Sequence, residues 1–322
     1  MDWENDPELG LLFGDIAGLG KLYALERVEQ IELWRVPPAE VIDEDGIEIR
    51  HFGPIRVSVN RARPHRHLFN LILGADRLGA AADGHLAEAL AWVESLGLDC
   101  RLPLRRQPEF GESGAAEDHL NHRGYRRTGA QATWVRGLEP PDFQPPAGVE
   151  VEELVDESNA ETFGIFLEAG YGDAGWVDSG VFVGLPGQRE WRCYLASDES
   201  GTIAAGAMLM HYEMPQLVFA GNIEETRGRG ACKALLRRCI EDVRVASQQR
   251  RFSVPDGIFA FTDEPLGCPD DLSPGARNLV HAGFRLVDVR DVWQPPEELI
   301  AEEDAVEDED EDEDEDDAAG ML

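Results

Sequence analysis

Six residues of the first half of this chain recur in the second half at a single spacing. Leu120, His122, Gly124, Tyr125, Arg126 and Trp134 are answered 159 positions later by Leu279, His281, Gly283, Phe284, Arg285 and Trp293. A chain that repeats a helix end, a glycine turn and a strand in this way is expected to fold one supersecondary unit twice. Upstream, Ala89-Leu90 and Ala234-Leu235 match at a spacing of 145, so the second copy carries fourteen extra residues. The spacing assigns them to a longer loop around Thr262 to Pro274. Between the copies, Gly137 to Gly148 holds Pro140, Pro141, Pro145 and Pro146, which stiffen the segment and forbid regular structure.

Periodicity predicts a mixed α/β chain. A helix is expected over Gly18 to Val36, ended by Pro37-Pro38. Short strands follow at Gly46 to Phe52, Ile55 to Asn60 and His67 to Leu73. A helix over Gly84 to Leu96 buries Leu86, Ala89, Leu90 and Val93 on one face. Leu98 to Leu104 reads as a strand, a second helix ends at His122-Arg123-Gly124, and Tyr125 to Val135 is a strand. Val149 to Val155 opens the second set. A helix around Asn159 to Ala169 precedes the glycine-rich Gly170 to Gly187, read as a loop whose Tyr171, Trp176 and Phe182 either line a cleft or lie on the surface. Strands follow at Arg192 to Ser197, Thr202 to His211, Gln216 to Ala220 and Ile258 to Phe261. The second copy closes with a helix ending over Arg277 to Ala282 and a strand from Phe284 to Trp293.

The chemistry-bearing stretch is Arg227-Gly228-Arg229-Gly230-Ala231-Cys232. An apolar strand ending at Ala220-Gly221-Asn222 precedes it. Ala234, Leu235, Leu236, Cys239, Ile240, Val243 and Ala246 follow at helical spacing. Glycines let a ligand approach the backbone closely, and free N–H groups at a helix N-terminus attract anions. The simplest ligand for such a loop, with two arginines in it, is a pyrophosphate. Aligned on the helices, the first half has Ala82-Asp83-Gly84-His85-Leu86-Ala87 there, without arginines and with an acid that repels phosphate. Cofactor binding is therefore expected in the second half alone.

Charge narrows the partners. The formal net charge is −35, and sixteen of the acids lie between Glu297 and Asp317. The remainder is still strongly acidic, which argues against nucleic acid. Five cysteines without a CxxC pair argue against a disulfide framework or a zinc site, and no metal is expected. No apolar run reaches the ~18 residues of a membrane helix. A cytoplasmic protein with no membrane partner is the expectation.

Strand, R-G-R-G-A-C, amphipathic helix, strand, a helix ending Ala282-Gly283-Phe284, strand: this order resembles the GCN5-related N-acetyltransferases, and in particular their bacterial tandem members. Arg227 to Gly230 fit the family's phosphate loop, while Cys232 stands where the family has Gly or Ala. The resemblance covers Val149 to Trp293 well and Gly18 to Val135 weakly. It implies two tandem acyl-CoA N-acyltransferase folds with mixed central sheets flanked by helices. Residues 1–137 would form a degenerate first domain and 138–148 a linker. Residues 149–296 would form the domain binding acetyl-CoA, and 297–322 a disordered acidic tail. Ala220, Gly221, Asn222 and Arg227 to Cys232 would hold acetyl-CoA, and a small-molecule or peptide amine would attack the thioester directly in a ternary complex.

The usual general-acid tyrosine of the family falls on Leu279, which cannot donate a proton. Glu224 and Glu213 are the candidates for relaying the amine's proton, each with a second reading as a solvated surface acid. His281 is weighed against a structural role shared with His122. Cys232 is read either as a thiol activated by the helix N-terminus or as a small packing residue. Trp134 and Trp293 are expected as core or interface aromatics. The alternative function is a non-catalytic acyl-CoA-binding protein. For the tail, the readings are a solubilising segment or a decoy that occupies a basic cleft or recruits a basic partner.

Overall fold

The computed structural model describes residues 37, 39–64, 69–76, 84–106, 113–170, 180–211, 214–249 and 257–299. The helix predicted over 18–36, the acidic run from Glu307, and Asp83, Tyr171, Trp176 and Glu213 lie outside the described residues.

The first half runs α1 (Ala39–Glu44), β1 (Ile47–Phe52), β2 (Ile55–Asn60), β3 (Leu71–Leu73), α2 (His85–Ser95), β4 (Leu102–Arg105), α3 (Ser113–His122) and β5 (Arg126–Arg136). The second runs β6 (Glu150–Leu154), α4 (Ala160–Gly170), α5 (Gly180–Val183), β7 (Trp191–Asp198), β8 (Gly201–His211) and β9 (Met214–Gly221). It continues through α6 (Ala231–Gln248), β10 (Ile258–Glu264), α7 (Pro274–His281) and β11 (Arg285–Gln294). Gly180–Val183 is thus helical, with Phe182 buried against Phe69. Helices flank two sheets, a mixed α/β architecture as the periodicity implied.

The repeated residues have a local cause. Tyr125 N–H donates to Leu120 O at 3.0 Å and Gly124 N–H to Asn121 O at 3.1 Å. Phe284 N–H donates to Leu279 O and Gly283 N–H to Val280 O, both at 3.0 Å. Each set is a Schellman helix stop, which needs a glycine at positive φ and an apolar contact across the cap. Gly124 and Gly283 have φ of 79° and 84°, and Leu120, Tyr125, Leu279 and Phe284 are buried. Trp134 and Trp293 are both 2 % exposed.

The sheets show how the copies combine. One sheet has the order β1-β2-β3. The other has eight strands in the order β4-β11-β5-β10-β9-β8-β7-β6. β5, the last strand of the first half, lies between β10 and β11, and β11 lies between β4 and β5. Each half therefore gives its closing strand to the other's sheet, and the two given strands pair antiparallel with each other. Ala130, Ala132 and Trp134 of β5 pack in one core with Leu235, Ile240 and Val243 of α6 and Leu279 of α7. Trp293 of β11 packs with Leu86, Leu90 and Val93 of α2 and Leu120 of α3.

A parallel step recurs as well. β9 and β10 pair only at Gln216↔Phe259 and Leu217↔Ala260, and in the first half Leu71 bridges Arg101 in parallel. Arg101 and Ala260 are 159 positions apart, so the full spacing is already reached at these strands. This corrects the placing of the fourteen extra residues at Thr262 to Pro274. They lie earlier, in α6, which has 18 residues against 11 in α2, and in the segment between α6 and β10.

Candidate cofactor and acceptor site

The loop is built at the point where two strands part. β9 stays paired with β8 as far as Gly221↔Ala205, but its parallel pairing with β10 stops at Leu217. The backbone of 218–221 therefore has an unpaired edge facing a wedge. A single 3-10 turn, Glu224–Thr226, then carries the chain into the loop. Thr226 Oγ1 ties that turn to β8 through Ile203 O at 2.7 Å.

The N–H groups of Gly228, Arg229, Gly230, Ala231 and Cys232 meet no acceptor among the described residues; Lys233 and Ala234 donate to Gly230 O at 3.0 and 3.2 Å. Five successive donors at the mouth of an 18-residue helix form a cradle of the shape and polarity that a pyrophosphate needs. Gly230 has φ of 81°, and a Cβ there would lie 2.2 Å from Pro146 Cγ. The proline-rich segment lies along α6, where Arg244 Nε donates to Leu138 O at 2.9 Å and Phe143 is buried in the α6–α7 core. On the other wall, a Cβ on Gly221 would meet Phe166 O at 2.6 Å, so α4 closes directly on the end of β9.

The two loop arginines differ. Arg229 Nη1 reaches Ser200 Oγ at 2.8 Å and Asp198 Oδ2 at 3.2 Å, and Nη2 donates to Glu225 O at 3.2 Å. It fastens the loop to the β7–β8 turn. Hydrogen bonds from Ser200, with Arg229 adding to them, hold the Asp198 carboxyl below the usual carboxylate range. Arg227 is exposed and makes no ion pair among the described residues, which leaves it as the loop's available cation.

The catalytic candidates fare differently. Leu279 is 5 % exposed in the core and offers no proton. Glu224 sits exposed in the turn before the loop. Glu213 lies outside the described residues. The His281 ring packs 6.1 Å from Phe143, whereas His122 Nδ1 lies 2.6 Å from Asp118 O, so the two histidines have different contacts. Burial pushes the Cys232 thiol up, which is the opposite of activation. Tyr194 is a buried donor to Asp242 Oδ2 at 2.9 Å, and burial pushes its hydroxyl far up.

Strand periodicity missed the last part of β10. The strand runs to Glu264 rather than stopping at Phe261, because Glu264 is held at its end. Ser273 N–H and Oγ donate to the Glu264 carboxylate at 2.6 and 2.8 Å, and Ser273 Oγ in turn caps α7 at Ala276 N–H. The extension carries Asp263, which forms a two-pronged ion pair with Arg101 of the first half at 2.7 and 2.8 Å. No local sequence signal joins residues so far apart.

The first half's own strand wedge is filled differently. Arg105 Nη2 lies 3.2 Å from Asp288 Oδ2 and its Nε 3.9 Å from Asp76 Oδ2, and Arg290 Nε reaches Asp288 at 3.1 Å. All four side chains are buried. No cluster of metal-ligating side chains occurs among the described residues, and no described helix is long and apolar enough to cross a membrane.

No protein-family model and no curated sequence matches the chain. Solved structures do. A GCN5-related N-acetyltransferase from Sphaerobacter thermophilus aligns with a TM-score of 0.54 at 16% identity, over 76% of this chain and 78% of that one. One from Kribbella flavida aligns at 0.52 and 14%, over 85% and 95%. A conserved protein of unknown function from Staphylococcus epidermidis aligns at 0.53 and 10%, over 79% and 96%. At such identities the likeness is one of architecture, and the chain has the fold of the GCN5-related N-acetyltransferases.

Proposed function

We propose that the chain is an N-acetyltransferase that moves an acetyl group from acetyl-CoA to a primary amine by direct attack in a ternary complex. The carrying observation is the pairing of the strand wedge after Leu217 with the five open amides of Gly228 to Cys232. The amides and Arg227 would take the pyrophosphate. The free edge of 218–221 would hold the pantetheine arm as an added strand, and Ala220, Gly221 and Asn222 would end that contact. Holding amine and thioester together can supply ~7–11 kcal/mol of the barrier. A positioned acid or base adds a smaller factor, ~10²–10⁴. The chemistry therefore tolerates Leu279 at the tyrosine position, with Glu224 or Glu213 relaying the amine's proton.

The division into a first domain to 137, a linker over 138–148, a cofactor-binding domain over 149–296 and an acidic solubilising tail is part of this reading. So is one cofactor per chain. The buried Arg105–Asp288–Arg290 group fills the first half's wedge, and the aligned sequence Ala82 to Ala87 carries no arginine. A cytoplasmic setting and a small-molecule or peptide acceptor complete it.

Heating with and without acetyl-CoA tests the reading. At ~100 times its Kd the ligand adds about 2.7 kcal/mol to stability. Absence of any shift at millimolar acetyl-CoA overturns cofactor binding and transfer together. The buried Leu279 favours one second reading, an acyl-CoA-binding protein without turnover. A thermal shift without thiol release across a panel of amines would select it.

A further inference from the structure

Asp263 stands on the open arm of the wedge. The last parallel rung of β10 is Ala260, so Phe261, Thr262 and Asp263 lie on the part of the strand that has left β9. Side chains alternate along it. Ile258 and Ala260 face the α6–α7 core, and Thr262 accepts from Trp134 Nε1 on that same face at 2.7 Å. Phe261 and Asp263 therefore face the other way, away from the helix that carries the phosphate loop. A nucleophile that meets the thioester from across the sheet comes to this face.

The carboxylate there is exposed and already occupied. The Asp263 side chain is 62 % exposed while that of Arg101 is 16 % exposed. Arg101 itself is fixed by its backbone, its N–H donating to Asn70 O at 2.9 Å and its O accepting from Ile72 N–H at 2.8 Å. The guanidinium thus arrives from the apex of the first half's wedge and forks onto the arm of the second's. The pair has no duplicate. At the spacing of 159 the counterparts of Arg101 and Asp263 are Ala260 and Leu104, both apolar. At this strand position only the wedge with the phosphate loop carries an acid, and a half-buried phenyl ring stands two residues before it on the same face.

We infer that Asp263 and Phe261 form the acceptor subsite, that its ligand is a cationic primary amine with an apolar arm, and that Arg101 holds Asp263 until the ammonium shares it. This rests on the acetyltransferase reading for the purpose of the site, but amine binding can be measured without it. The ammonium would sit on the carboxylate and the apolar arm against the Phe261 ring.

The test is calorimetric titration of the full chain with 2-phenylethylamine, using 2-phenylethanol as the uncharged counterpart, alone and with saturating acetyl-CoA. The wild type is expected to prefer the amine. Asp263→Asn should weaken amine binding about fivefold, the effect of one exposed ion pair, and leave the alcohol unmoved. Arg101→Gln should tighten it, because the competing guanidinium is gone, and Arg101→Lys should restore the wild-type value. A mere tether between the halves predicts a common shift instead, since both Asp263→Asn and Arg101→Gln break the same fork and would move binding in one direction. Equal shifts, or no preference for the amine over the alcohol, overturns the inference. If Asp263→Asn is unstable, Asp263→Ser measured in the same way decides. Loss of acetyl-CoA binding in the wild type would instead remove the acetyltransferase reading, and the amine titration would still judge Asp263.

Discussion

At the scale of single residues, two loop glycines with the same φ should not respond alike. Gly228 and Gly230 have φ of 80° and 81°, but a Cβ at 228 meets open space while one at 230 meets Pro146. Gly228→Ala should therefore cost only the left-handed backbone term, ~1–2 kcal/mol. Gly230→Ala should cost more, and should also lower acetyl-CoA affinity by shifting the cradle, as a melting curve and a titration on each variant would report. The buried protons give a second prediction. Burial pushes Cys100, Cys193, Cys239 and Tyr194 up, so the folded chain keeps protons that the unfolded chain releases from about pH 8.5 for thiols and 10 for phenols. Raising pH through that range therefore favours unfolding, and each such group contributes a slope of up to about 1.4 kcal/mol per pH unit. Urea midpoints at pH 7 and pH 10.5 should differ accordingly, with Tyr194→Phe flattening the upper part. Residues acting locally were legible in the sequence: Leu120, Gly124 and Tyr125 recur because a helix stop demands those types at those places. Arg101 and Asp263 were not legible, because their pairing is made by the sheet, across a separation no window spans.

At the scale of elements, α6 is held by charge as well as by its apolar face. Asp242 accepts from Tyr194, pairs with Arg192 at 3.2 Å and with Arg238 at 3.0 Å, and both arginines also approach Glu153 of β6. Asp242→Ala leaves a buried hydroxyl without its acceptor beside two half-buried cations. The expected cost is about 2–3 kcal/mol. Tyr194→Phe alone should cost about 1 kcal/mol, and the two together less than their sum, because they share one network. Chemical denaturation of the three variants checks this. Periodicity found nearly every helix and strand in the described residues, because their apolar faces repeat at 3.6 or 2. It missed the short helices α1 and α5 and the end of β10. A helix of one or two turns and a strand end held by a side-chain cap are both decided by contacts outside the window. The wedge was legible only through resemblance, since nothing in residues 214–221 says where parallel pairing will stop.

At the scale of the whole molecule, the repeat announced two copies but not their exchange of strands. With β5 seated between β10 and β11, neither half owns the whole of the eight-stranded sheet. Residues 37–148 and 149–299 expressed apart should each fail to fold, and expressed together they should restore acetyl-CoA binding. The intact chain should unfold in one transition by calorimetry rather than two. Two independent transitions, or a second half that binds acetyl-CoA alone, would contradict the exchange. The arrangement also bears on synthesis. β4 acquires its neighbour β11 only when the chain has been made to residue 294, roughly 190 residues after β4 itself; at ~5–20 residues per second this is a wait of about 10–40 s. During that wait the edge of β4 and the face that Trp293 will cover stand open on the ribosome, in reach of chaperones and of neighbouring nascent chains.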